Sequence, residues 1–457
     1  MDLTKTLPTS PDAATEEALD ALQANILSGH VRECFLALFL HFTDAAEGRA
    51  FLRSAAPLVK SHTVQRWESA AFKVGLPVRP TWVGVALAAA GYEALGLGAD
   101  APSDPAFRAG MPQRTDELTD PLQGDWEPGY QGHIHAVVLI GATSSDDVEE
   151  AEAAVRALLR PSVTVLHRES GRGQHNAAGA GIEHFGYVDG RSQPLFLDAD
   201  IAVEPRTAWN PAFPLQQVLV PESTPNRFGS YFVFRKLEQN VRLFKQAELD
   251  LAARIGLQGE DAERAGAMIV GRFEDGTPLV THKDAQGLTA DVENDFGYTG
   301  DPQGLRCPHF AHIRKTNPRG TGGFEDPDAA TGERRHIMAR RGQTYGERYD
   351  DPGADIAPAL RPSGGVGLLF MVYMSSVTDQ FEFTQRLWAN NPDFPQAPAS
   401  PGLDPVIGQG TRTPLPRCPV VWDESTNLVD GDPFPQAVTL KGGEYFFAPS
   451  ITYLAGL

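Results

Sequence analysis

Apolar and polar positions change period along this chain in a regular order. "CFLALFLHF" (34–42) is an unbroken apolar run and predicts a buried strand. "TDAAEGRAFLRSAAPLV" (43–59) follows at helical spacing behind a Thr/Asp cap signal. "TWVGVALAAAGYEALG" (81–96) predicts a strand leading into a helix, and "GHIHAVVLIGA" (132–142) an alternating strand. "SSDDVEEAEAAVRALLR" (144–160) predicts a capped helix with its acids first, and "SVTVLHRESG" (162–171) a further strand. The order is β-α-β-β-α-β, the ferredoxin-like arrangement.

After a Pro-rich stretch the pattern restarts. "GSYFVFRKLEQNVRLFKQAELDLAARIG" (229–256) predicts strand then helix, as at 34–59. "GVGLLFMVYMSSVTDQFEFTQRLWANN" (365–391) does so again, as at 132–160, and "GGEYFFAPSITYLAGL" (442–457) closes with a strand. The expected class is therefore α+β, in two ferredoxin-like halves with antiparallel four-stranded sheets. Residues 1–20 are a polar arm, 21–205 the first half, 206–228 a linker and 229–457 the second half. The second half holds an irregular insertion at about 270–360, and long loops inside compact domains are usually functional.

Length agrees with two units, since 457 residues exceed what one hydrophobic core usually serves. The net charge is −20, from 39 basic and 59 acidic residues. That argues against nucleic-acid or anionic-membrane partners, which need a basic footprint. The longest uncharged apolar stretch, Pro362–Thr378, is short and contains Gly and Ser, so a buried strand is expected and not a membrane span. Cys34, Cys307 and Cys418 are widely spaced and predict neither a disulfide framework nor a zinc site. With no export signal in "MDLTKTLPTSPDAATEEALD", the expected location is cytoplasmic.

Four segments could carry chemistry. "FGYVDGRSQP" (185–194) sets Asp189 among glycines; a turn accounts for the glycines but not for the acid. "RCPHFAHIRKTNPRG" (306–320) holds His309 and His312 ahead of Arg314, Lys315 and Arg319. Two histidines are too few for a catalytic zinc site without a third ligand, but one suffices for a haem iron. "RRHIMARRGQTYG" (334–346) has Arg340 and Arg341 before a glycine, and "PGLDPVIGQG" (401–410) isolates Asp404 in an uncharged segment. Taken singly, these also read as a solvated basic loop, a charge run and an Asp-Pro turn.

Together the segments resemble the dye-decolorizing peroxidases, haem enzymes built from two ferredoxin-like halves. The blocks are "GYVDG" (186–190, fitting GxxDG), "AHIRKTNPR" (311–319), "RRGQTYG" (340–346), "GLLF" (367–370), "GLDPVIGQ" (402–409) and "FFAPSITYL" (446–454). They stand in family order over most of the chain, and the long insertions resemble the larger bacterial and fungal members. The resemblance implies haem b held mainly by the second half, with His312 as the iron ligand and Asp404 hydrogen-bonded behind it. It implies Asp189 as distal acid–base residue and Arg340 as distal arginine. Arg314 matches a propionate contact, Leu368 and Phe370 the apolar lining of the distal pocket, and Tyr345 and Trp388 surface-radical sites. Hydrogen peroxide would be the oxidant, and dyes and phenolic aromatics the one-electron donors.

One departure concerns the ligand. The family more often has an apolar residue at 309, so His309 is a rival to His312, which alone keeps the offset to "RKTNPR". Two other functional classes stay open. One is a haem-handling protein with incidental peroxidase activity. The other is a non-haem metal protein using His133 and His135 of "GHIHA" with His167 or His175, since alternate strand residues share a face. Assembly into a homo-oligomer is also left open.

Overall fold

The computed structural model describes residues 1–457 apart from 31, 79–80, 290, 325–331, 353 and 355, and leaves out the side chain of 260. In the first half, strands β1 (Cys34–Phe42), β2 (Trp82–Ala88), β3 (Ala136–Ala142) and β4 (Val163–Arg172) stand in the order β4-β1-β3-β2. The second half supplies β5 (Phe228–Gln239), β6 (Ala339–Arg340), β7 (Gln343–Tyr345), β8 (Gly367–Met374) and β9 (Val438–Ala448). These run β9-β5-β8-β6, with β7 also paired to β8. Both halves thus repeat one plan, fourth–first–third–second, with every neighbour antiparallel.

The two expected sheets are joined edge to edge. Leu87 and Ala88 of β2 pair with Phe447 and Phe446 of β9, making one continuous sheet. Its far edges also meet. The Thr344 hydroxyl on β7 donates to the Arg172 carbonyl on β4. At Gly171 a Cβ would come within 2.8 Å of the Thr344 carbonyl oxygen, so only glycine permits this approach. The sheet closes into a barrel, which removes its exposed edges.

Closure explains the hydrophobic patterns. β1 lies inside the sheet and is buried on both faces, hence its unbroken apolar run. β4 alternates buried and exposed positions. The core draws on both halves: the Phe39 ring lies 5.0 Å from Phe234 edge-on and 6.4 Å from Phe446. Helices Ala45–Ala55, Ser145–Arg156 and Val241–Ile255 begin at Asp44, Ser144 and Asn240. Each of those side chains accepts an N–H of the first turn.

Two elements differ from expectation. The chain does not close on its last strand, because Ser450 caps a final helix, Ile451–Gly456, accepting the Tyr453 N–H at 3.1 Å. The helix after β8 is wound as π-helix over Val377–Glu382 and Thr384–Ala389, and it carries Phe381, Thr384 and Gln385 to the wall of the central cavity. The insertion is mostly irregular, as expected; its regular pieces include a short helix, His312–Thr316, and strands β6 and β7.

Candidate active site

A cavity of about 740 Å³ opens between the barrel and the insertion. Its wall contains Asp189, His312, Arg340, Leu368 and Phe370, residues spread over 182 positions of the chain.

His312 is the first residue of its short helix. Its Nδ1–H donates to Asp404 Oδ2 at 2.9 Å, which leaves Nε2 as the ring nitrogen available to a metal. Asp404 is completely buried. Its Oδ1 accepts the N–H groups of Val406 and Ile407 at 2.8 and 2.9 Å. Burial opposes ionisation, but the His312 charge and these donors hold the carboxyl below its usual range. For His312 burial pulls the other way, and Asp404 outweighs it and raises the imidazole. The turn that aims Asp404 needs Gly408, where a Cβ would stand 2.5 Å from the Asp404 carbonyl oxygen.

Asp189 sits at the end of a hairpin. Its N–H donates to the Gly181 carbonyl at 3.0 Å, and its Oδ1 accepts the Gly190 N–H at 2.6 Å. Gly186 and Gly190 have φ of +101° and +81°, which is what this turn demands of them. Arg340 on β6 is anchored through its backbone N–H to Gln193 Oε1 at 3.0 Å. Among the described residues its guanidinium has no hydrogen-bond or ion-pair partner. The charges of both Asp189 and Arg340 bear on His312. Leu368 and Phe370 are alternate residues of β8 and so face the cavity together.

The barrel fold agrees with three comparisons. Residues 21–174 match the family profile described as "DyP dimeric alpha+beta barrel domain". The multifunctional dye peroxidase DyP2 of Amycolatopsis sp. (strain ATCC 39116 / 75iv2) is 54% identical over 471 residues, covering 100% of both chains. The solved structure of DyP2 superposes with a TM-score of 0.97 at 52% identity, again over 100% of both. A DyP-type peroxidase of Anabaena sp. superposes with a TM-score of 0.91 at 35% identity, over 99% of this chain and 98% of that one. The chain belongs to the dye-decolorizing peroxidase family.

Members of this family are haem enzymes, and the donor set fits a haem. One imidazole is backed by a carboxylate, and two buried arginines wait in the cavity wall without an acid. Arg272 donates to the carbonyls of Gly276 and Glu293, and Arg319 to those of Asn294 and Phe296; both reach Ser192 Oγ. Their Cζ atoms lie 5.0 and 3.9 Å from the Phe296 ring centre. Neither forms a salt bridge among the described residues, and burial lowers them to about 10 and about 9. Such buried cations are costly until an anion arrives, and haem brings two carboxylates.

The expected propionate contact at Arg314 is therefore corrected. Arg314 is fully buried on the far side of its helix, where it donates to Asp301 Oδ2 at 2.9 Å and to the Cys307 carbonyl at 2.5 Å. It does not line the cavity, whereas Arg319 and Arg272 do. His309 leaves the contest for iron as well. It lines a separate small cleft with Pro308 and Arg417, and burial lowers its imidazole to about 3.

Tyr345 and Trp388 are not at the surface, so the expectation of surface sites is corrected too. Trp388 is 1% exposed and stacks on Phe394 at 5.2 Å. Tyr345 is 7% exposed, with Lys236 Nζ 4.8 Å above its ring and no partner for its hydroxyl. The histidine metal site does not assemble. His135 Nδ1 accepts the Phe42 N–H and its ring stacks on His41, while His175 lies 3.6 Å from Glu33. His167 does converge with Glu127 and Glu169. However, Lys236 Nζ already stands 2.7 and 2.8 Å from those two carboxylates.

Proposed function

We infer that this chain works as a haem-dependent peroxidase that reduces hydrogen peroxide and oxidises dyes and aromatic donors. The observation that carries this reading is one cavity that joins the Asp404-backed His312 to Asp189, whose carboxylate has only the Gly190 N–H as a partner among the described residues, and to the Arg340 guanidinium, which has none among them.

Haem b, held by His312 Nε2 with its propionates on Arg272 and Arg319, would supply the oxidising centre. The protein's own contribution is then proton handling and charge. Asp189, as carboxylate, accepts a proton from one peroxide oxygen and returns it to the departing one. Arg340 offers its free N–H groups to the negative charge that develops as the O–O bond breaks. Asp404 keeps the His312 Nδ1–H fixed and makes the ring a stronger donor. Leu368 and Phe370 narrow the cavity around Asp189 and Arg340, so that bulky dyes are excluded and give up electrons from outside it. Tyr345 and Trp388 are then interior relay positions on that path, not docking positions.

A haem-handling protein has no use for a free guanidinium beside an acid, so catalysis is the better reading. Among the described residues no helix is long and apolar enough to cross a membrane. We propose a cytoplasmic location because all three cysteines are unpaired. The test is an absorbance spectrum of the purified protein with a dye assay. A Soret band and peroxide-dependent bleaching are expected, and both should vanish in His312→Ala. A wild-type protein with haem but no bleaching would overturn the reading.

A further inference from the structure

The hairpin that carries Asp189 is organised by a carboxylate that the chemistry above leaves unused. Glu183 stands six positions before Asp189 and lines the same cavity. Its Oε2 accepts the Phe185 N–H at 2.8 Å and its Oε1 the Tyr187 N–H at 3.0 Å. The side-chain amide of Gln239, from β5, closes on Oε2 as a third donor. The backbone of the same residue is also engaged. Glu183 N–H donates to the Tyr187 carbonyl at 3.1 Å, and the Glu183 carbonyl accepts the Gly186 N–H at 2.9 Å. Around this hub Ile182 bridges Val188, and Asp189 is tied to Gly181.

Five hydrogen bonds thus converge on one residue, four of them within this hairpin and the fifth tying it to β5 through Gln239. An ordinary turn does not need a half-buried carboxylate at its centre. Among the described residues no Lys or Arg pairs with Glu183. Burial lifts its carboxyl to about 7, with the charge of Asp189 adding to the lift, although the three donors favour the anion. An ionisable group held this way, six positions from Asp189 and in the wall of the same cavity, is a candidate for a functional role.

We propose that Glu183 is a positioning residue for the peroxide step: its carboxylate clamps the 181–189 hairpin and so sets where Asp189 stands in the cavity. Glu183 acts through Asp189 and touches neither oxidant nor donor. A glutamine there keeps one acceptor oxygen but turns an NH2 toward the second backbone N–H, so the clamp opens on one side. The donor half of the reaction does not use Asp189 and is left alone.

The inference rests on the peroxidase reading, and wild-type protein tests that reading first through its Soret band and its reaction with peroxide. In Glu183→Gln, kcat/KM for hydrogen peroxide should fall about tenfold or more, while kcat/KM for a small donor dye holds within twofold. Amide exchange in a 181–190 peptide should speed up with haem content unchanged. The double variant Glu183→Gln/Asp189→Asn should be no slower than Asp189→Asn alone, because the clamp then has nothing to position. Gln239→Leu loosens the same carboxylate from outside the loop and should lower kcat/KM for peroxide about threefold; it serves if the first variant fails to fold. Equal losses for peroxide and dye, a further loss in the double variant, or faster exchange with no loss for peroxide would each overturn the proposal while leaving the peroxidase reading intact.

Discussion

His312 and Asp404 are 92 residues apart in the chain, and their side chains meet at 2.9 Å in the wall of the cavity. Among the described residues Asp404 has no other side-chain partner, and the two backbone N–H groups on its Oδ1 fix its direction. Asp404→Asn keeps the shape but removes the charge behind the imidazole. It should cost about 10–100-fold in haem affinity or activity, the range usual for a partner behind a metal ligand. The haem reduction potential should move up, because a less anionic imidazole stabilises the oxidised iron less. Haem titration of the apoprotein and spectroelectrochemistry measure both; an unchanged potential would show that Asp404 only holds the turn.

The two arginines of "HIRKTNPR" should separate cleanly. Arg319→Leu removes a cation from the cavity wall, so haem retention should weaken while the haem-free fold keeps most of its stability. Arg314→Leu strands Asp301, which is 4% exposed. Breaking a buried ion pair from one side costs about 3–5 kcal/mol. Urea unfolding of the haem-free proteins, followed by haem titration, reads the two effects separately. Stronger haem loss in Arg314→Leu than in Arg319→Leu would return the propionate role to Arg314.

This pair also shows where the sequence is legible. Strands such as "CFLALFLHF", and the repeated ferredoxin-like order, follow from local period and are present in the fold. The pairing of β2 with β9, which joins the halves, has no local signal, because any edge strand offers the same unpaired N–H and C=O groups. The cavity residues Asp189, His312 and Arg340, and Asp404 behind His312, were legible only through the blocks of the family resemblance, because singly each segment also reads as a turn or a charged loop. Motif adjacency does not say which way a side chain points, and so the resemblance marks Arg314, whereas Arg319 is the one that lines the cavity. Arg272, in "GRFEDGTP", and Glu183, just before the GxxDG block, are single charged residues whose meaning lies in what they lack: an ion-pair partner among the described residues. Trp388 was legible as an aromatic on a helix, but the face it uses depends on the π winding of that helix.

Asp189 and Arg340 divide the peroxide step, and their variants should show it. Asp189→Asn removes the proton acceptor and should slow peroxide consumption by about 10²–10⁴-fold, the usual worth of a positioned acid–base group. Arg340→Leu removes a donor to developing charge, worth about 10²–10³-fold at comparable sites. Because Arg340 has no competing partner, its loss should leave the fold's stability within about 0.5 kcal/mol. Stopped-flow absorbance after mixing with peroxide gives the rates. A small effect in Asp189→Asn beside a large one in Arg340→Leu would assign the step mainly to the arginine.

Glu444 on β9 should contribute more stability in mild acid than at neutral pH. It is buried, and the N–H groups of Met111 and Tyr445 both donate to its Oε1, which leaves Oε2 to carry a proton. Burial raises its carboxyl from 4.5 to about 7, so the folded chain binds a proton there that the unfolded chain gives up. A raised carboxyl contributes stability that is complete below the unfolded value and lost as pH climbs through the folded one. The window therefore runs from about 4.5 to 7, and the contribution is at most about 3 kcal/mol. Glu183, also raised, works in the same direction. Asp404 works oppositely, but only below its usual value of 3.8, outside this window. Five buried histidines, His62, His135, His184, His309 and His336, are lowered by burial to about 3 or 4 and work oppositely as pH falls below 6.5. The Glu444 contribution is therefore read as a difference between two proteins: in urea unfolding at pH 5 and pH 8, wild type should gain stability relative to Glu444→Gln at pH 5, and an identical pH dependence in the two would mean that Glu444 stays ionised in its pocket.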